Sequence, residues 1–277
     1  MSPRSQLPLW KTVGEAYAMW VRNFPDLVRA CWIWLLLMAP VWVAWTMWWR
    51  VPHMEGIFEA FRAGEQFDDP NPLVTGVALT IDQIMMLPAF ASVGVAWHRL
   101  LLRGEHPGSA VYLRLDKIVV AYAILAFAGG AILMAPYYAS MMIQFVIETG
   151  AITNSAAALL KFFDVLVSLA AVVPLFILAR LSLLLPAIAL GRNDVTLGTV
   201  WKASEGNTWR MFGAYFFCVI PWMAVTIGMA AWQYHHDQGR EIATLVWMMM
   251  VLPFIPVGMI SVGMLSLAYR HFFESGA

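Results

Sequence analysis

The chain has 277 residues, 61% of them apolar and only 12% charged, whereas soluble domains carry roughly 25% charged residues. Its 17 basic residues balance its 17 acidic residues, so no net charge predicts binding to nucleic acid. The composition excludes an ordinary soluble enzyme and predicts an integral membrane protein.

The chain starts with an amphipathic segment from Leu9 to Phe24. Its apolar residues recur at helical spacing, at Leu9, Val13, Ala16, Trp20 and Phe24. A second such segment covers Leu197 to Ser204, and either Asp194 or Thr196 would cap its start. Pro107–Lys117 is a shorter counterpart. Each segment precedes an apolar stretch, so we expect three short helices in the headgroup region of a membrane.

Six apolar stretches are long enough to cross a bilayer core, which takes roughly 20 residues as a helix. They lie near 27–49, 75–100, 118–146, 155–179, 209–233 and 242–268. The fourth continues through 181–190, so its helix is expected to project past the membrane. The loops are too short for a separate soluble domain. We predict an all-α integral membrane fold with 1–277 as one polytopic domain.

Basic residues are concentrated on alternate loops. Thirteen of the 17 lie before the first span, between spans two and three, between spans four and five, or at the C-terminal end. Because excess Lys and Arg mark the cytoplasmic side, both termini are predicted to be cytoplasmic. The opposite loop, 50–74, is rich in Glu and Asp and is expected outside.

The same pattern divides the chain into three hairpin units, about 8–105, 106–193 and 194–277. Each unit is predicted to consist of an interfacial helix, a span that leads to the outer side and a return span that leads back to the cytoplasmic side. Each return span ends in an arginine, at Arg99, Arg180 and Arg270. A cation is favoured at a helix C-terminus, and the three hairpins are expected to bring these arginines into one inner patch.

Three short stretches carry a resemblance to a known family. They are Trp97-His98-Arg99 with Gly104-Glu105, Ala179-Arg180-Leu181-Ser182 running into Leu185-Pro186-Ala187, and Gly206-Asn207-Thr208-Trp209-Arg210. The chain resembles an uncharacterised family of bacterial inner-membrane proteins, which are similar to the membrane domain of glycerophosphoryl diester phosphodiesterases. The resemblance implies a six-helix module of the inner membrane. It implies no phosphodiesterase activity, because the chain has no room for the catalytic barrel of ~250 residues.

Ionisable residues within spans are rare and form one candidate polar site. Asp82 lies in the second span, and Lys161 and Asp164 lie in the fourth. The spacing of Lys161 and Asp164 allows an intrahelical pair. Asp82 has no partner nearby in sequence. It could reach Lys161 across the bundle, bind a cation or a proton, or stay neutral.

A second candidate site lies at the inner ends of the spans. It comprises His98, Arg99, Arg103, Arg180 and Arg210. One interpretation is a site for an anionic headgroup, a phosphate or a partner. The other is that these residues only anchor the topology and extend their charged ends to the membrane surface.

No nucleotide-binding loop, metalloprotease motif or nucleophile elbow occurs, and we predict no enzyme, cofactor or metal site. Every predicted span has an interior proline, which favours kinked helices. The leading hypothesis is a non-enzymatic structural or regulatory inner-membrane module that contacts lipid headgroups, a membrane-protein partner or a second copy of itself. The alternative is a small carrier of an amphipathic solute or lipid through a proline-kinked bundle.

Overall fold

The structure is a computed structural model, and it describes residues 6–63, 72–108, 111–148, 153–235 and 254–274. These residues form helices joined by short connections, with no strand among them. The helices are α1 Leu9–Arg22, α2 Phe24–Trp45, a π-helical turn Thr46–Arg50, α3 Val51–Ala63, α4 Pro72–Arg103, α5 Lys117–Glu148, α6 Asn154–Ala170, α7 Val172–Leu181, α8 Leu184–Ala189, α9 Leu197–Ala203, α10 Thr208–His235 and α11 Phe254–Phe273. The predicted all-α class is confirmed.

Five helical stretches are long and apolar enough to cross a membrane. They are Phe24–Trp49, Val74–Arg103, Lys117–Ile147, Ser155–Ala189 and Thr208–Met229. They coincide with the first five predicted spans and indicate a multi-pass membrane protein. The sixth predicted span, 242–268, lies partly outside the described residues, and its second half belongs to α11.

Two of the three predicted amphipathic segments are helices, α1 and α9. Thr196, not Asp194, caps α9, because its side chain accepts from the Thr199 N–H while the Thr199 hydroxyl accepts from the Thr196 N–H. Such reciprocal capping satisfies two N–H groups that the helix itself cannot pair. Gly206 follows α9 at φ +79°, a left-handed conformation that suits glycine.

The third predicted segment is not helical, and the prediction of an interfacial helix before every hairpin was wrong here. None of the described residues between α4 and α5 forms a helix. Pro107 disfavours a helix across this stretch, because it lacks an N–H and restricts the residue before it. The helix starts only at Lys117, where the Asp116 carboxylate accepts from the N–H groups of Ile118 and Val119 at 3.0 and 3.1 Å.

The first and fourth spans are interrupted. α2 continues through the π-helical turn into α3, so the expected outer loop 50–74 begins as a helix. In the fourth span, Ala171 separates α6 from α7. Its N–H donates to the carbonyls of both Val167 and Ser168, at 3.1 and 3.3 Å. Pro174 then lies in the first turn of α7, where its missing N–H costs nothing. Pro40 of the first span lies inside α2, before the π-helical turn. The second, third and fifth spans carry their prolines inside continuous helices, at Pro88, Pro136 and Pro221.

The core lies at one end of the helix bundle. There α1 packs on α10 and α11, α9 packs on α7, and α8 packs on α4 and α5. The largest fully buried side chains include Trp97, Tyr122 and Tyr269. We call this the arginine end, because Arg99, Arg103, Arg180, Arg210 and Arg270 make their contacts there; the rest of the bundle is the far half.

Candidate functional site

Asp82 of α4 is buried and bonded to the first span. The Trp45 indole donates to its carboxylate at 2.5 Å. This contact joins α4 to α2 just before the π-helical turn. Asp82 has no partner nearby in sequence, as expected, but the residue that it contacts across the bundle is Trp45, 37 residues away in the chain, whereas Lys161 was the expected partner.

Lys161 and Asp164 do not pair with each other. Among the described residues, Asp164 accepts a hydrogen bond from the Gln144 amide at 3.4 Å, and its other oxygen is buried without a hydrogen bond. Lys161 is exposed on α6. Asp82 and Asp164 thus attach to different helices, α2 and α5, and these contacts do not assemble the predicted intramembrane polar site.

His98 is fully buried and does not belong to a surface patch. Its Nδ1 lies 2.8 Å from the Ser266 hydroxyl of α11, and its Nε2 lies 3.3 Å from the Tyr122 hydroxyl of α5. The prediction that His98 faces headgroups was wrong. Gly94 makes room for this network, because a Cβ there would lie 2.9 Å from the Tyr122 hydroxyl oxygen. The histidine is a polar junction between helices of all three predicted units.

Arg99 and Arg103 come together, and both bind the end of α8. Arg99 Nε donates to the Ala189 carbonyl at 3.0 Å, and Arg103 donates to the Leu190 carbonyl at 2.8 Å. Glu105 lies 3.2 Å from Arg99 and 3.7 Å from Arg103. The last carbonyls of a helix have no partner within it, so the arginines stabilise α8 through its C-terminus.

Arg180 is buried and faces α9. Its Nε donates to the Ser204 hydroxyl at 2.9 Å, and a terminal nitrogen donates to the Trp201 carbonyl. Its guanidinium carbon lies 3.7 Å from the centre of the Trp201 ring. This cation–π contact and the two hydrogen bonds attach α9 to the bundle.

Arg210, near the start of α10, holds the N-terminal segment. It donates to the Leu7 carbonyl at 3.1 Å and to the Gln6 side chain at 2.6 Å. The Leu7 N–H in turn donates to the Asn207 side chain at 2.8 Å. These bonds fix the chain that leads into α1 against the start of α10.

Arg270 completes a cyclic order among the return-span arginines. It donates to the Leu101 carbonyl near the end of α4. In terms of the three predicted units, Arg99 of the first bonds the second, Arg180 of the second bonds the third, and Arg270 of the third bonds the first. Each of these arginines thus makes a contact of its own with another helix, and Arg99 and Arg103 share the carboxylate of Glu105.

Ion pairs beside these ties also serve local structure. Arg192 and Asp194, between α8 and α9, bond through two nitrogens and two oxygens. The hydrogen bond from Arg192 lowers the pKa of the Asp194 carboxyl. In the described part of the chain, no group of three His, Cys, Asp or Glu side chains is arranged to hold a metal ion.

A shallow groove opens on the surface of the arginine end. Its lining is Pro8, Leu9, Trp10, Lys11, Trp209 and Arg210. The side chains of Trp10 and Trp209 are 69% and 72% exposed. Of this lining, the predicted sites contained only Arg210. A usable signal was present, because a tryptophan directly precedes a basic residue in both walls, at Trp10-Lys11 and Trp209-Arg210.

No protein-family model, curated protein or solved structure matches the chain. The resemblance to the bacterial inner-membrane family therefore stays a prediction.

Proposed function

We propose that the chain is a non-enzymatic structural or regulatory module of the bacterial inner membrane, whose cytoplasmic face contacts lipid headgroups or a membrane partner. In this proposal six spans form three hairpins and both termini are cytoplasmic. The arginine end is then the cytoplasmic end.

The observation that carries the proposal is how the candidate site residues are used. His98, Arg99, Arg103 and Arg180 each bond a different helix from their own. Catalytic groups need a cleft in which they converge on a substrate. These groups instead hold the bundle together, and the basic and aromatic side chains of the groove remain on its surface.

The three-hairpin arrangement is supported by the packing of the leading segments. α1 of the first unit packs on α10 and α11 of the third, and α9 of the third packs on α7 of the second. The stretch before α5 bonds the first unit, through His106 to Asp26 and through the Arg114 N–H to Ser92. Each leading segment thus contacts the preceding unit, whereas each of the three arginines bonds the following unit, so both sets of contacts link the units in a ring.

Extraction of the full chain from membranes in native lipid patches tests the proposal. Recognition of headgroups should enrich anionic phospholipids about fivefold over the bulk membrane, the factor that about 1 kcal/mol of electrostatic attraction produces. A bound partner should copurify in a fixed ratio. A lipid shell identical to the bulk membrane, with no partner, would contradict the proposal.

Labelling of single cysteines tests the orientation. The native Cys31 and Cys218 are buried and can be replaced first. A cysteine at Lys11 should react with an impermeant reagent only from the cytoplasmic side, and one at Glu59 only from outside. Labelling of both from the same side would overturn the proposed topology.

The second candidate function, a small carrier, is favoured by the interrupted spans. The π-helical turn directly follows Trp45, the partner of Asp82, and the fourth span departs from regular helix for one residue at Ala171, which keeps helical backbone angles. Irregular helices are common at functional sites and in transporters. In vesicles containing the protein, a carrier should move a fluorescent phospholipid between leaflets. Asp82→Asn should slow that movement, whereas Lys161→Gln at an exposed position should not.

A further inference from the structure

We infer that the groove formed by Pro8–Lys11 and Trp209–Arg210 binds the phosphate-bearing headgroup of an anionic phospholipid of the same leaflet. This inference rests on the proposed function and gives its headgroup contact a place. The bound lipid would lie with its phosphate between Lys11 and Arg210 and with an acyl chain along α10.

The charge of the groove is complementary to a phosphate. Its six lining residues include two cations and no acidic residue. Lys11 is 73% exposed, and its ion-pair partner, Glu15, is 4.0 Å away and itself 47% exposed. Such a weak surface pair leaves the ammonium open to a stronger anion. Arg210 carries five N–H donors, and its bonds to Leu7 and Gln6 use only two of them.

The groove walls are held before any ligand arrives. The Leu7–Asn207 and Arg210–Leu7 hydrogen bonds join the two walls directly. Trp10 packs on Phe217 with ring centres 4.6 Å apart, and Trp209 packs on Phe176 at 4.3 Å. Both indoles are therefore anchored on one side while most of their surface stays exposed. A preformed site loses less ordering entropy on binding.

The surroundings favour a lipid over a soluble phosphate. Trp209 is the second residue of the Thr208–Met229 span, which is the depth of the interface, where tryptophan is enriched. From Trp209 an exposed apolar stripe continues along the same face of α10, through Phe216 and Ile220. A phosphate site that opens onto an apolar stripe fits a headgroup joined to an acyl chain. A free phosphate would contact only the phosphate site and leave the apolar stripe uncovered.

Native mass spectrometry of the full chain with added lipid tests the inference. The probes are phosphatidylglycerol, phosphatidylcholine with the same acyl chains, and inorganic phosphate. We expect phosphatidylglycerol to bind, and Lys11→Gln to weaken its binding about fivefold. The single variant Trp209→Ala should weaken the binding of phosphatidylglycerol by a larger factor than Lys11→Gln.

Matched controls lie on the same molecule. Lys202→Gln changes an exposed lysine of α9, and Trp48→Ala removes an indole of the far half that is 71% exposed. Neither should change the binding of phosphatidylglycerol. If the groove variants bind it as strongly as the unaltered protein while the protein still enriches anionic lipid, the groove assignment is wrong and the proposed function stands.

A measurement on the unaltered protein removes any dependence on variant folding. Acylation of Lys11 should be slowed by phosphatidylglycerol in the surrounding bilayer and not by phosphatidylcholine. Equal protection by inorganic phosphate at matched concentration would overturn the lipid as the ligand. Equal acylation in all three conditions, or protection that appears only when a second copy or another protein binds the groove, would overturn the site.

Discussion

The arginine end and the far half of the bundle differ in the share of their side chains that is buried within the protein. From Ala89 to Leu101 of α4 nearly every side chain is buried, whereas no described side chain of α6 is buried. Phe162 and Leu169 of α6 are 58% and 68% exposed. At the arginine end the polar groups bond across helices; in the far half, apolar side chains face outward.

The difference indicates two sources of stability in one chain. The arginine end has a core like that of a soluble protein, with close packing and with hydrogen bonds to buried polar side chains such as His98 and Arg180. The far half relies on the lipid to cover its apolar surface, because lipid tails are as apolar as the side chains. Substitutions should therefore change the free energy of unfolding strongly at the arginine end and weakly in the far half.

The largest effect is expected for Trp97→Ala. Trp97 is 2% exposed, and its removal should lower the free energy of unfolding by about 3–5 kcal/mol through the lost contacts and the remaining cavity. Phe162→Ala should change it by less than about 0.5 kcal/mol, since the ring faces outward. Unfolding in mixed micelles measures both. Equal costs would erase the distinction between the two regions.

The next effect is that of Arg180→Ala, which removes the bonds to Ser204 and Trp201. Hydrogen bonds to a charged group are strong, so we expect a loss of about 2–3 kcal/mol. Arg29→Ala removes an i,i+3 pair with Asp26 in which the arginine is 61% exposed, and should cost no more than about 1 kcal/mol. Protease sensitivity of α9 should rise in the first variant alone. An intact α9 there would show that Arg180 does not hold it.

Gly94→Ala should cost about 1–3 kcal/mol, because the new methyl group must displace the Tyr122 hydroxyl from His98. Gly228→Ala in α10 is the matched control. Nothing lies within 4 Å of a Cβ there, so alanine should stabilise the helix by up to about 1 kcal/mol. Melting temperatures in detergent should move in opposite directions. The same direction for both would argue against close packing at Gly94.

The smallest effect concerns acidification near Asp116. Partial burial raises the pKa of this carboxyl, but the bonds from Arg114 and from the N–H groups of Val119 and Ile118 outweigh it, and the pKa is lowered overall. A lowered pKa means that Asp116 stabilises α5 fully above its unfolded value of about 3.9 and less as the pH falls below it.

We expect this contribution to be about 1 kcal/mol, the usual value of a helix cap. Asp116→Asn keeps a capping side chain and should remove the pH-dependent part. The melting temperature between pH 6 and pH 3 measures it. An unchanged slope in the variant would exclude Asp116 as the source.

The sequence predicted the helices better than the site. Apolar length and helical spacing located five spans and both α1 and α9, because these features depend on neighbouring residues. The site residues were predicted from their chemical type alone. In the structure, Asp82 and Asp164 accept hydrogen bonds from Trp45 and Gln144. Arg99 and Arg180 donate to backbone carbonyls. Every residue has a backbone carbonyl, so the sequence cannot indicate which carbonyl an arginine will bond.

Length, composition and the spacing of apolar and basic residues thus determined by themselves that this protein is a helical membrane protein, and where most of its helices lie. A helix needs only local periodicity and enough apolar residues to reach across a bilayer. Only the tertiary structure decided that His98 is buried, that Arg99, Arg180 and Arg270 bond carbonyls of other helices, and that Trp10 and Trp209 share a groove. These contacts join residues far apart in the chain, and they form only when the helices pack against one another.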